Sequence, residues 1–107
     1  MNDLTLDRFN TIVTDQIEHC RTVLKEKGAE YVFSADRLDH FKNSAEEQGI
    51  GSKQALWGMT SKHHSSLAGM CKAENEYPRE VWREKITDAM NYLILLWALV
   101  QEEADND

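Results

Sequence analysis

The stretch from Trp82 to Leu96 commits the chain to a fold built around one helix. Neither glycine nor proline interrupts it, and from Leu93 onward apolar residues occupy nearly every face. A helix that is apolar all round needs cover from several neighbours, which makes this the central helix of the domain. One polar stripe runs down it. Glu84, Asp88 and Asn91 recur at i, i+4 and i+7 and therefore share a face, and Leu95 and Ala98 extend that face into the apolar half. The stripe has two readings. It is the last solvated turn of an ordinary helix, or, if another element packs over Leu95, Asp88 and Asn91 stand at the mouth of a cleft. Two close carboxylates repel unless a cation or a base joins them. Hard oxygen donors with an open side suit Mg²⁺ or Mn²⁺.

Three further helices precede it. Phe9, Ile12, Val13, Ile17, Cys20, Val23 and Leu24 repeat with a 3.6-residue period, which predicts a helix over about 4–27, with Gly28 as its closing residue. The segment from Ala29 to Phe33 reads as an extra turn or an extended link. A second helix is expected over about 35–48, with Ser34 as N-cap, Asp36 in the first turn and a narrow apolar edge of Leu38, Phe41 and Ala45. A third is expected over about 53–72 behind Ser52, with Leu56, Met59, His63, Leu67 and Met70 on one face. The fourth begins near Pro78, a favourable first-turn residue, and runs to about Glu102, with Val81, Trp82, Ile86, Ala89, Leu93, Leu96 and Val100 facing one way. No hairpin signal is present. The expected fold is all-α and four-helix bundle-like: a single helical domain over 1–101, then a flexible acidic tail over 102–107.

Net charge is −7, and much of it lies in that tail. With no basic patch on the body, duplex nucleic acid is not an expected partner. The longest apolar run, Tyr92 to Val100, is far too short to span a bilayer. The N-terminus lacks the apolar core of a signal peptide. Cys20 and Cys71 form no CxxC pair and read as small buried hydrophobes in a reduced compartment. Together these point to a cytoplasmic protein.

Several residues could carry chemistry beside Asp88, Glu84 and Asn91. Glu26 and Glu30 lie four apart near the end of the first helix, with His19 one heptad earlier. His63 sits on the apolar face of the third helix, either as a hydrogen-bonded core residue or pointing into the same cleft as Asp88. Lys62 and Ser66 flank it one turn apart and suit an anionic ligand. Asp36, Arg37 and His40 are positioned to close the cleft. Trp57, Trp82 and Trp97 read as core or interface residues. No HExxH spacing and no phosphate-binding glycine loop occur.

Lys27-Gly28-Ala29-Glu30-Tyr31, Asp36-Arg37-Leu38-Asp39-His40-Phe41, Ala55-Leu56-Trp57-Gly58, Lys62-His63 and the span Trp82 to Leu96 resemble small phage and prophage proteins. These are similar to the MazG-like, nucleotide-modification-associated members of the all-α NTP pyrophosphatase superfamily. The resemblance spans most of residues 9 to 100. It implies a helical bundle, homodimeric or homotetrameric, that splits a nucleoside triphosphate into monophosphate and pyrophosphate with Mg²⁺ held by acids of two helices. The family's acids are spaced ExxE and ExxD, whereas Glu26/Glu30 and Glu84/Asp88 are each spaced by four. On this resemblance Glu30, Glu84, Asp88 and Glu26 would hold the metal, and Lys62 and His63 would stabilise the leaving pyrophosphate. Asn91 and Tyr92 would shape the base or sugar pocket, with Ser66 and Asp36 beside the ligand. The same cleft on a non-catalytic protein would sequester a nucleotide or a nucleotide signal. A structural or regulatory helical oligomer is the third reading.

Overall fold

A computed structural model describes residues 3–30, 36–74 and 76–106. Among them are four helices, α1 (Leu6–Glu30), α2 (Asp39–Gln48), α3 (Ser52–Lys72) and α4 (Arg79–Asp105), and no strand. The fold is all-α and bundle-like, as the periodicities predict. No helix of the described residues is long and apolar enough to cross a membrane.

The core forms where α2, α3 and α4 meet. Leu38, Phe41, Leu56, Leu95 and Leu99 make one buried cluster, and Leu24, Met59, Tyr92 and Leu96 pack around it. Leu56 and Leu99 are almost wholly removed from water, which is worth about 1.5–3 kcal/mol for each side chain. Helix α3 runs antiparallel to α4, since Lys53 at its start pairs with Glu103 near the end of α4 at 2.9 Å. The α2–α3 turn is made by Gly49, whose φ of 68° is left-handed and suits glycine. Its N–H and that of Ile50 return to carbonyls of the last turn of α2.

Helix α1 packs on α4 alone among the helices. The two run parallel, because their contacts rise together in number. Gln16 Nε2 donates to Thr87 Oγ1 at 2.8 Å, Asn91 Nδ2 donates to the Cys20 carbonyl at 3.3 Å, and Arg83 reaches the Asp15 carbonyl. Polar groups therefore make much of this seam, where α3–α4 is mainly apolar.

The face that α4 buries differs from the expected one. Thr87, Asn91, Leu95 and Leu99 are buried; of the expected apolar face Ala89 is buried and Val81, Trp82 and Leu96 are half-buried, whereas Ile86, Leu93 and Val100 are exposed. Asp88 is half-buried, so the polar stripe lies on the inner side of the helix. The reason is packing: α1 covers one flank of that stripe and the α2–α3 pair covers Leu95 and Leu99. The apolar stripe of α1 is likewise only partly used. Cys20 is buried and Val23 and Leu24 half-buried, but Phe9, Ile12, Val13 and Ile17 are exposed.

Boundaries differ too. Gly28 does not cap α1, which continues through it to Glu30. Helix α2 starts at Asp39 rather than near residue 35, because the Asp36 carboxylate accepts the Leu38 N–H at 2.9 Å and holds a turn ahead of the helix. The expected N-cap Ser34, and Tyr31 to Phe33, lie outside the described residues. Ser52 is the first residue of α3 and Gly51 its N-cap. The acidic end is not a separate tail as far as Asp105: α4 continues to that residue, and Glu102 and Glu103 are ion-paired. Cys71 is exposed rather than buried.

Lys42 joins the two ends of this core. Its ammonium binds Asp36, ahead of α2, and both carboxylate oxygens of Glu102, at 2.7 and 2.9 Å, in the last turns of α4. The hydrogen bond from Lys42, then that from the Leu38 N–H, holds the Asp36 carboxyl below its ordinary range. Asp36, then Glu102, holds the Lys42 ammonium above its own. A depressed carboxyl contributes stability that is present above its unfolded value and lost as pH falls through the folded one. The raised lysine contributes below its unfolded value and loses that contribution as pH rises through the folded one. The junction is therefore intact at neutral pH and opens on acidification below the ordinary aspartate range. Lys42→Met is expected to cost roughly 1 kcal/mol or less at neutral pH. Urea midpoints measured from pH 7 down to pH 3 should fall less steeply for the variant than for the parent protein.

Candidate functional site

A cavity of about 110 Å³ opens where the C-terminal half of α1 faces the α2, α3 and α4 cluster. That volume is close to the size of a single aromatic ring, since an engineered cavity of roughly 150 Å³ accepts benzene. Its buried wall is Phe41, Asn91 and Leu95, with Val23, Leu24 and Tyr92 half-buried around them. Its outer residues carry charge. Lys27 on α1 and Arg37 ahead of α2 are basic, and Lys27 and His40 are exposed, which puts them toward the mouth. Among the described residues Asp88 is the only carboxylate in the lining.

Two features of the wall bear on what fits inside. The rings of His63 on α3 and Tyr92 on α4 lie 4.5 Å apart at 32°, close to a stack, and Phe41 meets Tyr92 edge-on at 6.2 Å. Asn91 is 5% exposed. Its Nδ2 is used on the Cys20 carbonyl, whereas its Oδ1 is buried without a hydrogen-bond partner. A buried acceptor left unpaired costs about 1–3 kcal/mol.

Local sequence explains the placement. Cys20, Val23 and Lys27 continue one helical face of α1, so Lys27 is carried over the cavity in the turn before Gly28. Arg37 lies across that last turn because residue 28 has no side chain: a Cβ there would stand 3.0 Å from Arg37 Nε. Asp36 is engaged by Lys42 and thereby fixes the backbone from which Arg37 projects.

The structure gathers only some of the residues that the sequence singles out. Asp88, Asn91, Tyr92 and His63 line the cavity, together with Arg37 and His40. Glu84 does not: it is exposed and lines a separate depression with His19, Glu80, Arg83 and Asp88. Lys62 and Ser66 are exposed on α3 and are absent from the cavity wall, because only the His63 position of that turn faces inward. Asp36 lines a shallow surface hollow on the other side of Arg37. Glu26 is exposed, and the side chain of Glu30 lies outside the described residues. Lys27, which the periodicity places only at the end of α1, is a lining residue that the sequence does not single out as part of the site. Its four-residue spacing from Val23 was the available signal.

Of the four expected Mg²⁺ ligands, the side chains of Glu26, Glu84 and Asp88 are described. Among the described residues no three His, Cys, Asp or Glu side chains converge on a point that could hold a metal ion, so Glu26, Glu84 and Asp88 do not make a common site. The chain matches no known family model, no characterised protein and no solved structure. The chemistry of the cavity must therefore carry the functional argument.

The unpaired oxygen gives a direct test. Asn91→Leu keeps the volume and removes the stranded acceptor, and the Cys20 carbonyl stays within α1. Its denaturation midpoint is expected to equal or exceed that of the parent protein. Asn91→Ala, which leaves a void, should lower the unfolding free energy by about 1–3 kcal/mol and the midpoint with it.

Proposed function

We propose that the protein binds and retains an anionic small molecule bearing a flat ring, a nucleotide or a close phosphorylated relative, without cleaving it. The observation that carries this reading is the ring-sized cavity walled by the His63–Tyr92 pair, with Lys27 and Arg37 toward its mouth. A flat heterocycle would lie against that pair, beside the Asn91 side chain. Its phosphates would remain at the mouth, near Lys27 and Arg37, where a guanidinium can bind two phosphate oxygens at once. Only the ring need enter, since whole-ligand pockets are typically several hundred Å³.

Retention is preferred to hydrolysis on the donor set. Magnesium-assisted phosphoryl chemistry needs several hard oxygen ligands converging on one point. Asp88 supplies one to the cavity; Glu84 and Glu80 share with it only the adjoining depression, where Lys27 and Arg83 stand among them. Asp88 is better suited to hold a ring or sugar hydroxyl, or to balance Arg37 and Lys27.

A thermal-shift panel of nucleoside mono-, di- and triphosphates, run with EDTA and with Mg²⁺, tests the proposal. At least one nucleotide should raise Tm without Mg²⁺. At one hundred times Kd the stabilisation is about 2.7 kcal/mol, a shift on the order of 10 °C for a chain of this size. Inorganic phosphate alone should do far less. Arg37→Ala should shrink the shift, and the ligand should be recovered intact on denaturation. Mg²⁺-dependent release of pyrophosphate that Asp88→Ala abolishes would overturn retention in favour of hydrolysis.

A further inference from the structure

We infer that the hollow between the N-terminal halves of α1 and α4 docks an acidic amphipathic helix of a partner protein. The hollow measures about 610 Å³, and those two helices alone wall it. Three of the chain's five arginines stand in its lining, Arg8 on α1 and Arg79 and Arg83 one turn apart on α4. The 71-residue offset that joins Gln16 to Thr87 and Cys20 to Asn91 also sets Arg8 level with Arg79 along the two parallel helices. Among the described residues neither of these two side chains has a carboxylate within ion-pair distance. Arg83 is held by Gln16 Oε1 and the Asp15 carbonyl. Asp15 and Glu80 also border the hollow. Asp15 lies seven residues beyond Arg8, roughly 10 Å along the axis, and Glu80 also borders the neighbouring depression with Glu84. Three arginines against two acids leave positive charge in surplus here, on a chain whose net charge is −7.

Three observations say what the hollow takes. The first is charge. A guanidinium fork matches a carboxylate, and two arginines at one height can hold the same acid between them. The partner is therefore acidic where it meets Arg8 and Arg79. The second is residue type. Trp82 is half-buried in the α4 wall, Tyr77 meets it edge-on at 6.1 Å, and Ile12 and Ile86 are exposed in the lining. Tryptophan, tyrosine and arginine are the residues that dominate binding energy between proteins. The third is shape. A small molecule is held in pockets that bury about 70–90% of its surface, whereas a hollow with two walls covers one face of its occupant. The α1 wall runs from Arg8 to Gln16, about 12 Å of helix. That is two turns of a third helix laid in the groove, with an apolar anchor on Trp82, Ile12 and Ile86 and an acid one turn away on the arginines. The hollow shares no lining residue with the ring-sized cavity, so this proposal stands or falls independently of the one above.

Panning a random dodecamer peptide display library on the immobilised full chain tests this. Enriched peptides should carry Asp or Glu three or four residues from a Trp, Phe or Leu. Synthetic copies should bind the double variant Arg8→Glu, Arg79→Glu at least about tenfold more weakly. Lys62→Glu, Lys72→Glu changes the net charge equally at exposed positions of α3 and should leave binding unchanged. Oxidative footprinting of the parent protein with peptide bound should protect Trp82 and leave Trp57, exposed on α3, as reactive as before. No enrichment, enriched peptides without acids, or equal weakening in the two double variants overturns the proposal. Displacement of the peptide by millimolar citrate or pyrophosphate as complete as by excess peptide would make a small anion the occupant, and also overturns it. So does a two-chain mass that falls to one chain in Arg8→Glu, Arg79→Glu, which would make the occupant a second copy. If that variant fails to fold by circular dichroism, the library and the footprint on the parent protein decide the matter.

Discussion

The structure depends on which side of α4 is turned inward. That helix is apolar round most of its second half, so several orientations bury comparable area, and the choice is made by its neighbours. Leu56 of α3 and the Leu38–Phe41 edge preceding and opening α2 meet Leu95 and Leu99 in one cluster. Once those two leucines are committed, Asn91 and Thr87 fall under α1, where Gln16 and the Cys20 carbonyl give them partners. The cavity and the bare apolar face both follow from this one rotational choice.

Helix number, type and order were legible because the apolar periods are separated by Gly49, Gly51 and Pro78. Rotation of α4 was not. Ile86, Leu93 and Val100 look like a core stripe in sequence, yet a period shows only that residues share a face, not whether a partner exists for it. Gly28 misled for a related reason. Glycine is tolerated inside a helix when a neighbour needs its space, and Arg37, nine residues away in an intervening turn, gives no local sign of that need. Of the candidate site, Asp88, Asn91, Tyr92 and His63 were found through their spacing on two helices. Lys62 and Ser66 failed because they flank His63 and so point away from where it points. Glu84 failed by one turn of helix, which is enough to move it into the next depression.

The cavity inverts the polarity that its carboxylates suggest in sequence. Glu84 and Asp88 on a stripe invite a cation. In three dimensions Asp88 is accompanied by Lys27, Arg37 and two imidazoles, an environment that attracts anions. The apolar and aromatic wall behind them selects for a ring. Affinity for such a ligand would come from a few well-placed groups rather than from enclosure, because the enclosed volume is small.

The Lys42 bridge has a consequence for how far apart events in this molecule can be felt. It ties the turn that presents Arg37 to Glu102, close to the chain's C-terminal end. Order at the mouth of the cavity and order in the closing turns of α4 are thereby linked quantities, each raising the other by the same factor. A ligand held by Arg37 would slow fraying at the end of α4, and anything that engaged the acidic end would in turn change how firmly the cavity grips. The last turns of α4 are, in that sense, the far handle of the binding site.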